Sequence, residues 1–484
     1  MPESVPERTP ATVPTRPHGA GAPRGASGRV GPSSRLSTST VARYAIGSLG
    51  TGGFATLPGL VLVFYLTDTL GVAAWAAGIA VSAAKVWDVL IDPVIGGFSD
   101  TNLHRTGSRR RVMIVGAVAL PVFFLLTFAV PAGVSPVVAG LWVAIAFILA
   151  STSFSLFQVP YIALPAELSD HYDQRTRLLT TRVAVLSVAI LLFGAGGPIL
   201  RGIGNAYTGY LVMALVAGLV IAAGMLIATT VAPKGVPQPD APAVPVSEGY
   251  REGFAALRRS APFRALLGTF VLQALATGMM LAAANYVAVW VMHSSDALTF
   301  LFVALIGPAI LFSPIWNAIS RRAGKERSYV AASIVFTLAA ASLSLAIWSP
   351  GAWMYLSVAV AGAAYAGMQA LPMAMLPDVI SHDARRTGAP RAGVFGGMWT
   401  AGETTGMALG AAALTVVLTV TGYIQTTAGH SVEQPASAVN GIAAAFGLIP
   451  AALTLLSLLF LSRYRLRRSD IDGPDIDLPE EAIA

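Results

Sequence analysis

The sequence contains no cysteine and little charge. The absence of cysteine from all 484 residues excludes disulfide bonds and thiol chemistry, and it leaves the cellular compartment open. Charged residues make up 11% of the chain and hydrophobic residues 55%, and the mean hydropathy is +0.68. Soluble globular proteins carry about 25% charged residues. The composition therefore excludes a soluble globular protein and indicates an integral membrane protein.

Histidine is also scarce, and its positions argue against a metal enzyme. The six histidines all fall in predicted loops or tails: His18, His104, His171, His293, His382 and His430. The apolar segments contain no cluster of metal ligands and no nucleophile with a base at catalytic spacing. We therefore expect no enzyme activity, no cofactor and no bound metal other than a coupling ion.

Long apolar segments make up most of the chain. Twelve of them reach the length of about 20 residues that a helix needs to cross a bilayer. They are residues 41–66, 72–98, 111–131, 137–165, 178–203, 208–232, 262–292, 297–319, 328–349, 352–376, 393–421 and 440–462. The sequence therefore predicts an all-α membrane protein with twelve transmembrane helices.

The net charge of +7 is explained by where the basic residues lie. Nearly all of the 31 lysine and arginine residues fall in the N-terminal arm, the even-numbered loops or the C-terminal tail. By the positive-inside rule, both termini are then cytoplasmic. We expect a multi-pass protein of the inner (plasma) membrane of the cell, a monomer in the lipid bilayer, with a small-molecule substrate and no nucleic-acid partner.

One motif is repeated about 215 residues apart. Gln158 to Pro165 closes the fourth apolar segment, and Gln369 to Pro377 closes the tenth. Such a repeat predicts two six-helix halves related by duplication, with a ligand site between them near the bilayer midplane. The predicted organisation is a disordered cytoplasmic arm over 1–40, a first half over 41–232, a cytoplasmic connector over 233–261, a second half over 262–464 and a cytoplasmic tail over 465–484.

Three charged residues lie inside the second apolar segment. Lys85, Asp88 and Asp92 are three and four residues apart, which places them along one face of a helix. A charge at the centre of a transmembrane helix costs about 2.5 to 3.5 kcal/mol, so this face is expected to line a protein interior or a water-filled cavity. Two carboxylates beside one ammonium leave one negative charge, which favours capture of a proton or a metal cation. The alternative is an ion pair that only holds helices together.

Other charged residues fall near the predicted ends of helices. Asp100 follows the second segment, and Arg105 and Arg109 precede the third, which predicts a charge cluster that gates the cytoplasmic side; solvated topology charges are the alternative. Glu403 lies inside the eleventh segment, either as a site for a coupling proton or as a hydrogen-bond partner between helices. Arg182 begins the fifth segment, where it either contacts the substrate or extends its side chain to the interface.

Several of these residues match a known family. The most specific are Lys85-Val86-Trp87-Asp88 with Asp92-Pro93, the glycine and arginine cluster up to Arg111, Val159-Pro160-Tyr161 before Glu167, and Gly393 to Trp399. With these motifs the sequence resembles the glycoside-pentoside-hexuronide:cation symporters of the major facilitator superfamily over roughly 41–465. The resemblance implies the major facilitator fold, alternating access, and uptake coupled to Na⁺, Li⁺ or H⁺. It also implies that Asp88 and Asp92 bind the cation and that Arg182 contacts the substrate.

The sequence departs from that family at the sugar site. Thr51 and Gly52 stand where sugar-binding members carry a lysine-aspartate pair, and Gln158 stands at the position of the fourth-helix aspartate. Ile162 replaces the tryptophan on which the sugar stacks, and a lysine that is usual in the eleventh helix falls near Thr404. The cation half of the family's site is therefore kept, and the sugar half is not.

We therefore expect a cation-coupled transporter of a small organic solute that is apolar or amphipathic and not a simple sugar. The coupling ion is H⁺ or Na⁺, with Asp88 and Asp92 as ligands and Lys85 and Glu403 in coupling. The predicted substrate-binding residues are Thr51, Gln158, Arg182, Asn285, Gln369 and Trp399. The alternatives are a proton-driven exporter of a secondary metabolite, a lysolipid carrier and a non-transporting membrane sensor.

Overall fold

The computed structural model of the protein describes residues 36–169, 172–233, 255, 257–294, 296–387, 392–430, 432–464 and 466. Twelve long helices, numbered α1 to α12, account for most of these residues. In the first half, α1 consists of Thr38–Ile46, Ser48–Phe64 and a π-helical turn, Tyr65–Thr69; it is followed by α2 Ala74–Thr106, α3 Arg110–Phe128, α4 Pro136–Leu168, α5 Tyr172–Arg201 and α6 Ala206–Thr229. In the second half, α7 consists of Ala261–Tyr286 and a π-helical turn, Val287–Val291; it is followed by α8 Ala297–Ala323, α9 Lys325–Leu343 with a 3₁₀ turn, Ser344–Ile347, α10 Trp353–Thr387, α11 Ala392–Val420, and α12 in two pieces, Ala436–Phe446 and Leu448–Leu461.

The twelve predicted apolar segments correspond one for one to these helices, and the predicted fold class is confirmed. All twelve helices are long and apolar enough to cross a membrane. Helix α2 extends beyond the predicted segment 72–98, because its C-terminal part is polar and was not counted in the apolar segment. It stays helical as far as Thr106. Gly107 then ends it with a φ of 71°, and the Gly107 N–H donates to the Leu103 carbonyl at 2.7 Å. Glycine adopts this left-handed cap without steric cost.

The predicted arm, connector and tail fall mostly outside the described residues. Residues 1–35, 234–254 and 467–484 all belong to the part that is not described. Helix α1 begins at Thr38, within the predicted arm of 1–40. It begins there because the Ser37 side chain caps it, accepting a hydrogen bond from the Thr40 N–H at 3.1 Å.

Small residues let the helices pack closely within each half. A side-chain carbon added at Gly116 of α3 would lie 2.6 Å from the Ser153 carbonyl oxygen of α4, and one added at Gly278 of α7 would lie 2.6 Å from the Met407 carbonyl oxygen of α11. Close backbone approach is typical of transmembrane helices, because the bilayer provides little hydrophobic driving force for their association. These two positions therefore require glycine.

The two halves repeat one unusual backbone detail. Both α1 and α7 end in a π-helical turn of 5 residues. The bonds that close the turns also correspond: the Leu70 N–H donates to the Tyr65 carbonyl at 3.1 Å, and the Met292 N–H donates to the Val287 carbonyl at 2.8 Å. The duplication that the sequence motif predicted is therefore also present in the backbone.

The halves meet at one end of the helix bundle. We name its ends by residues: the Asp68 end carries the loops after the odd-numbered helices, and the Arg109 end carries the loops after the even-numbered ones. At the Asp68 end the Thr426 N–H donates to the Thr67 carbonyl at 2.9 Å, which joins the loop after α11 to α1. The bundle is therefore closed at this end by main-chain contacts between the halves.

Helix α8 shows where the contact between the halves stops. Its first turns are buried, and Phe302 packs against Gly194 of α5 in the other half. From Ile310 to Ala323, Trp316 is the one buried residue of this helix. A helix end that is exposed on nearly every face is not packed against the opposite half. The structure is therefore closed at the Asp68 end and open at the Arg109 end.

Candidate functional site

Lys85, Asp88 and Asp92 of α2 lie together on the side of the helix that faces α4. The Lys85 ammonium is 3.1 Å from Oδ2 of Asp88, and only 8% of the Asp88 surface is exposed. Oδ1 of Asp88 and Oδ1 of Asp92 are both buried atoms without a hydrogen-bond partner. The single ion pair therefore leaves one carboxylate oxygen on each aspartate available to a cation.

Side chains of α4 form the opposite wall of this group. The Lys85 ammonium lies 5.9 Å from the centre of the Phe147 ring, the Trp87 Nε1–H donates to the Thr152 hydroxyl at 2.9 Å, and Ser155 interacts with the Asp92 carboxylate. Within the described ranges, no three or more Asp, Glu, His or Cys side chains are grouped to hold a metal ion. A metal cation bound here would therefore take the two carboxylates and complete its shell with hydroxyl or water oxygens.

Three predicted substrate residues come together in the first half. The Thr51 hydroxyl of α1 donates to Oε1 of Gln158 in α4 at 2.7 Å. One turn further along α4, the Tyr161 ring lies 5.3 Å from the guanidinium carbon of Arg182 in α5. Such a contact between a cation and an aromatic ring is worth about 0.5 to 2 kcal/mol. The contact positions the guanidinium, and the buried Arg182 Nε has no hydrogen-bond partner.

Gln369 and Glu403 form a second group on α10 and α11. Gln369 Nε2 donates to the Tyr365 hydroxyl at 2.7 Å. Glu403 is partly buried and close enough to Tyr365 to interact with it electrostatically. The structure therefore brings one amide and one carboxylate together in the second half, and their roles in substrate binding and coupling stay predictions.

Trp399 and Asn285 lie deeper inside the second half. Trp399 is 2% exposed, and its ring centre stacks 4.2 Å from that of Phe270. Asn285 is 0% exposed, and neither polar atom of its side chain has a hydrogen-bond partner. The stacking of Trp399 on Phe270 could not be predicted from the sequence, because the two residues belong to different helices. A substrate contact by either residue would require this half to rearrange and stays a prediction.

Arg109 forms the centre of the predicted charge cluster. Its guanidinium is 2.6 Å from Asp100 Oδ1 and 2.5 Å from Glu167 Oε1, and it donates to the Ser99 hydroxyl at 2.9 Å. Burial alone would lower the pKa of Arg109, but the hydrogen bonds that it donates to Glu167 and Asp100 raise that pKa above its usual value. Arg105 is exposed and lies outside this cluster. All of these residues belong to the first half, and a gating role for them stays a prediction.

The second half carries a counterpart of the Arg109 cluster. Lys325, at the start of α9, places its ammonium 2.6 Å from Asp378 Oδ2 of α10. The same ammonium donates to the Ala374 carbonyl at 2.9 Å. Glu167 and Asp378 both follow the repeated proline motif, so the sequence already contained the signal that links these two ion pairs.

Asp68, at the end of α1, is the functional candidate that sequence reasoning missed. Its Oδ1 accepts hydrogen bonds from the Tyr423 hydroxyl at 2.5 Å and from Trp290 Nε1 at 3.3 Å. Burial raises the pKa of the Tyr423 phenol, and the nearby Asp68 carboxylate raises it further, so the hydroxyl stays a donor. A cavity of about 630 Å³ borders Asp68 and Trp290. The first apolar segment was predicted to end at residue 66, which left Asp68 in a loop.

Comparison with known proteins identifies the family of the chain. The sequence profile of the family described as MFS/sugar transport protein matches residues 43–468. An uncharacterized symporter of Synechocystis sp. is 24% identical, with 90% of this chain and 95% of that protein covered. The sphingosine-1-phosphate transporter MFSD2B of Mus musculus is 25% identical, with 72% of this chain and 73% of that protein covered.

The fold also matches solved transporters. The crystal structure of a D-xylose-proton symporter superposes with a TM-score of 0.62 at 14% identity, covering 88% of this chain and 98% of that one. The fold class and the resemblance to glycoside-pentoside-hexuronide:cation symporters are thus both confirmed. The protein is a multi-pass membrane transporter and not an enzyme, and it belongs to the MFS/sugar transport family of the major facilitator superfamily.

Proposed function

We propose that the protein couples the movement of a cation to that of a small organic solute by alternating access. The observation that carries the proposal is the surplus of carboxylate at Asp88 and Asp92. One ammonium pairs with one of the two carboxylates at 3.1 Å, while a buried oxygen of each has no partner. An uncompensated charge inside the membrane costs about 2.5 to 3.5 kcal/mol, and binding of H⁺ or Na⁺ removes it.

Lys85 and Glu403 provide the coupling in this proposal. The Lys85 side chain is 28% exposed, so a cation that binds Asp88 can displace the ammonium toward the open side of the site. Glu403 lies in the opposite half and is partly buried, so its protonation would remove a second charge from the interior as the halves move. Cation binding at Asp88 and protonation of Glu403 would thereby each remove one charge from the interior of their own half.

The proposed substrate is apolar or amphipathic. A sugar hydroxyl that is buried without a partner costs about 1 to 3 kcal/mol. Thr51 and Gln158 already satisfy one another at 2.7 Å, and Ile162 has no polar side-chain atom. Arg182 retains a buried Nε–H without a partner, which suits a carboxylate or phosphate. We therefore favour a solute with one anionic group and an apolar body.

A lysolipid carrier is the second candidate. On α5, Leu179 is 43% exposed and Val183 is 56% exposed, so apolar surface adjoins the Arg182 guanidinium. An anionic head group on Arg182 with its alkyl chain along α5 would use both features. One relative is named a sphingosine-1-phosphate transporter, and that molecule combines a phosphate with an alkyl chain. A proton-driven exporter would use the same groups in the opposite direction.

We place the Arg109 end in the cytoplasm and the protein in the cell membrane. Basic residues concentrate at this end: Arg105, Arg109, Arg110, Arg111, Arg321, Arg322 and Lys325. Arg201 lies at the Asp68 end. This asymmetry follows the positive-inside rule and supports cytoplasmic termini.

Substrate-dependent cation flux in proteoliposomes tests the proposal. A dye that responds to H⁺ or Na⁺ is sealed inside, and sugars, carboxylated amphiphiles and lysophospholipids are added one class at a time, with protein-free liposomes as the control for leakage. We expect an amphiphile, and not a simple sugar, to drive cation flux in the wild type. The proposal would be contradicted if the wild type transported the solute without ion flux, or if it transported neither the solute nor the ion.

Matched variants connect the flux to the site. We expect Asp92→Asn to abolish the flux. Asp378→Asn is the control, because it removes a carboxylate whose partner, Lys325, lies 2.6 Å away and outside the site. Equal flux in the wild type and in Asp92→Asn would contradict the assignment of the cation to Asp88 and Asp92.

A further inference from the structure

Asp68 belongs to the first half but receives hydrogen bonds from the second. The Tyr423 hydroxyl, from the loop after α11, donates to its Oδ1 at 2.5 Å. Trp290 of α7 donates to the same oxygen at 3.3 Å, and Thr67 of α1 donates to Oδ2 at 2.6 Å. One carboxylate thus holds two side chains of the opposite half.

The duplication explains why Asp68 and Trp290 face each other. Asp68 is the fourth residue of the π-helical turn that ends α1, and Trp290 is the fourth residue of the corresponding turn of α7. Two identical acidic residues at these positions would repel one another across the interface. An acceptor in one half and a donor in the other instead form an attractive pair.

Neighbouring residues strengthen the same contact. The hydroxyls of Thr67 and Tyr286 are 2.6 Å apart, and the rings of Phe64 and Tyr286 meet edge to face with 5.0 Å between their centres. The Ala428 N–H donates to the Thr69 carbonyl at 3.1 Å, which adds a main-chain bond between the halves. The Asp68 end is therefore closed by a polar network in which Asp68 provides the charge.

A cation of the first half stands beside this network. The Arg201 guanidinium lies 5.8 Å from the Phe64 ring centre and 5.7 Å from the Tyr210 ring centre, with a long hydrogen bond of 3.5 Å to the Tyr210 hydroxyl. It is close enough to Asp68 to interact with it electrostatically. The cavity of about 630 Å³ borders Asp68, Arg201 and Trp290, so the guanidinium has room to move.

We propose that Asp68 is a positioning residue that exchanges partners during transport. Its carboxylate accepts hydrogen bonds from Tyr423 and Trp290 when the Asp68 end is closed, and it pairs with Arg201 when that end opens. Both states satisfy the carboxylate, so opening does not strand a buried charge. The two states can then lie close in free energy, as a two-state transport cycle requires. This inference rests on the proposed alternating access.

The absence of cysteine from the chain allows a direct test. Thr415 of α11 is 2% exposed and packs against Gly78 of α2, at the contact between the halves. In Thr415→Cys, reaction with a membrane-impermeant maleimide applied at the Asp68 end therefore reports opening of that end. Ala132, which is exposed in the loop after α3, provides a second cysteine variant that reacts in every state and calibrates reagent access.

We expect the labelling rate to change in opposite directions when a partner of the closed state and a partner of the open state are removed. Tyr423→Phe should raise the labelling rate of Thr415→Cys about five- to tenfold, because it removes a hydrogen bond that Asp68 accepts in the closed state only. Arg201→Gln should lower the rate, because it removes the partner of the open state. A fold that was merely loosened would be labelled faster in both variants.

Tyr329→Phe is the matched control for Tyr423→Phe. It also removes one buried tyrosine hydroxyl, but this hydroxyl donates to Gln273 at 2.8 Å within the second half. The labelling rate should therefore stay at the wild-type value in Tyr329→Phe. The control separates the loss of a contact between halves from the loss of any buried hydrogen bond.

Unchanged or slower labelling in Tyr423→Phe would overturn the proposal, and so would unchanged or faster labelling in Arg201→Gln. Both variants keep the Asp68 carboxylate, and each removes a partner from one state only. The experiment needs neither substrate nor coupling ion. Its failure would therefore leave the proposed cation coupling standing, and a failure of cation coupling would leave the labelling result interpretable.

Discussion

The two halves of the molecule are alike at their helix ends. Each half ends its first helix in a π-helical turn. Each also pairs a cation at the start of its third helix with a carboxylate of its fourth: Arg109 with Glu167 at 2.5 Å, and Lys325 with Asp378 at 2.6 Å. These duplicated features fix the ends of helices and have the same form on both sides of the molecule.

The second helix of each half differs. Helix α2 carries Lys85, Asp88 and Asp92 in its interior, whereas α8 contains no acidic residue from Ala297 to Ala323. In the proposed mechanism, the duplicated parts therefore provide the moving framework, and the charged group found only in α2 binds the cation. Because α2 and α4 belong to the same half, a cation bound between them would move with that half and would not be released by the motion itself.

Neutralising the carboxylates of α2 should have the largest effect. Asp88→Asn and Asp92→Asn each remove the surplus negative charge, so we expect uphill accumulation of the solute to be abolished while downhill exchange continues. An amide of the same size keeps the packing, and the helical content should stay unchanged by circular dichroism. Normal uphill transport in both variants would contradict the proposal that α2 carries a cation site that α8 lacks.

Replacing Arg182 should have the next largest effect. A hydrogen bond to a charged group is worth about 1.5 to 3 kcal/mol, so Arg182→Gln should raise the half-saturating concentration of an anionic amphiphile roughly 10- to 100-fold. The uncharged analogue of that amphiphile serves as the control and should bind both proteins equally. Unchanged affinity for the anionic compound would place the substrate away from the first half.

Arg109→Gln tests the difference between the two ion pairs. The Arg109 side chain is 11% exposed and contacts Asp100 and Glu167, so its loss leaves the Glu167 carboxylate, which is only 21% exposed, without this partner. We expect the free energy of unfolding to fall by about 2 to 3 kcal/mol. Chemical denaturation of the purified protein in detergent measures the change, and a loss below about 1 kcal/mol would argue against a buried cluster.

Lys325→Gln should have the smallest effect. The Lys325 side chain is 42% exposed, so water screens its pair with Asp378. We expect a loss of about 0.2 to 1 kcal/mol, which should shrink further at high salt. If this variant were destabilised as strongly as Arg109→Gln, the two ion pairs would be equivalent and the halves more alike than the structure indicates.

Hydrophobic length and repetition made most of the fold predictable. The number of spans follows from segment lengths, and the duplication follows from the motifs around Gln158 and Gln369. The shared face of Lys85, Asp88 and Asp92 follows from their spacing, because residues three or four apart lie on one side of a helix. Each of these inferences depends on neighbours in the sequence.

Contacts between distant segments were not predictable in this way. Asp68 follows an apolar segment by two residues, and only the fold brings it to Tyr423 and Trp290 of the other half. Trp399 was predicted to bind the substrate, yet its ring is buried against Phe270 of another helix. The π-helical turns leave no periodicity in the sequence, because each spans only 5 residues.

The thermal stability of the purified protein as a function of Na⁺ and pH tests the cation site most directly, since it needs no knowledge of the substrate. Na⁺ is exchanged for choline at constant ionic strength, and Asp378→Asn serves as the control variant. If Asp88 and Asp92 hold the coupling cation, either Na⁺ or H⁺ stabilises the wild type. The gain is about 2.7 kcal/mol when that ion is present at 100 times its Kd. Asp378→Asn should respond as the wild type does, while the Tm of Asp92→Asn should not change with that ion. If the Tm of the wild type and the Tm of Asp92→Asn respond identically to Na⁺ and to pH, the assignment of the cation to Asp88 and Asp92 is contradicted.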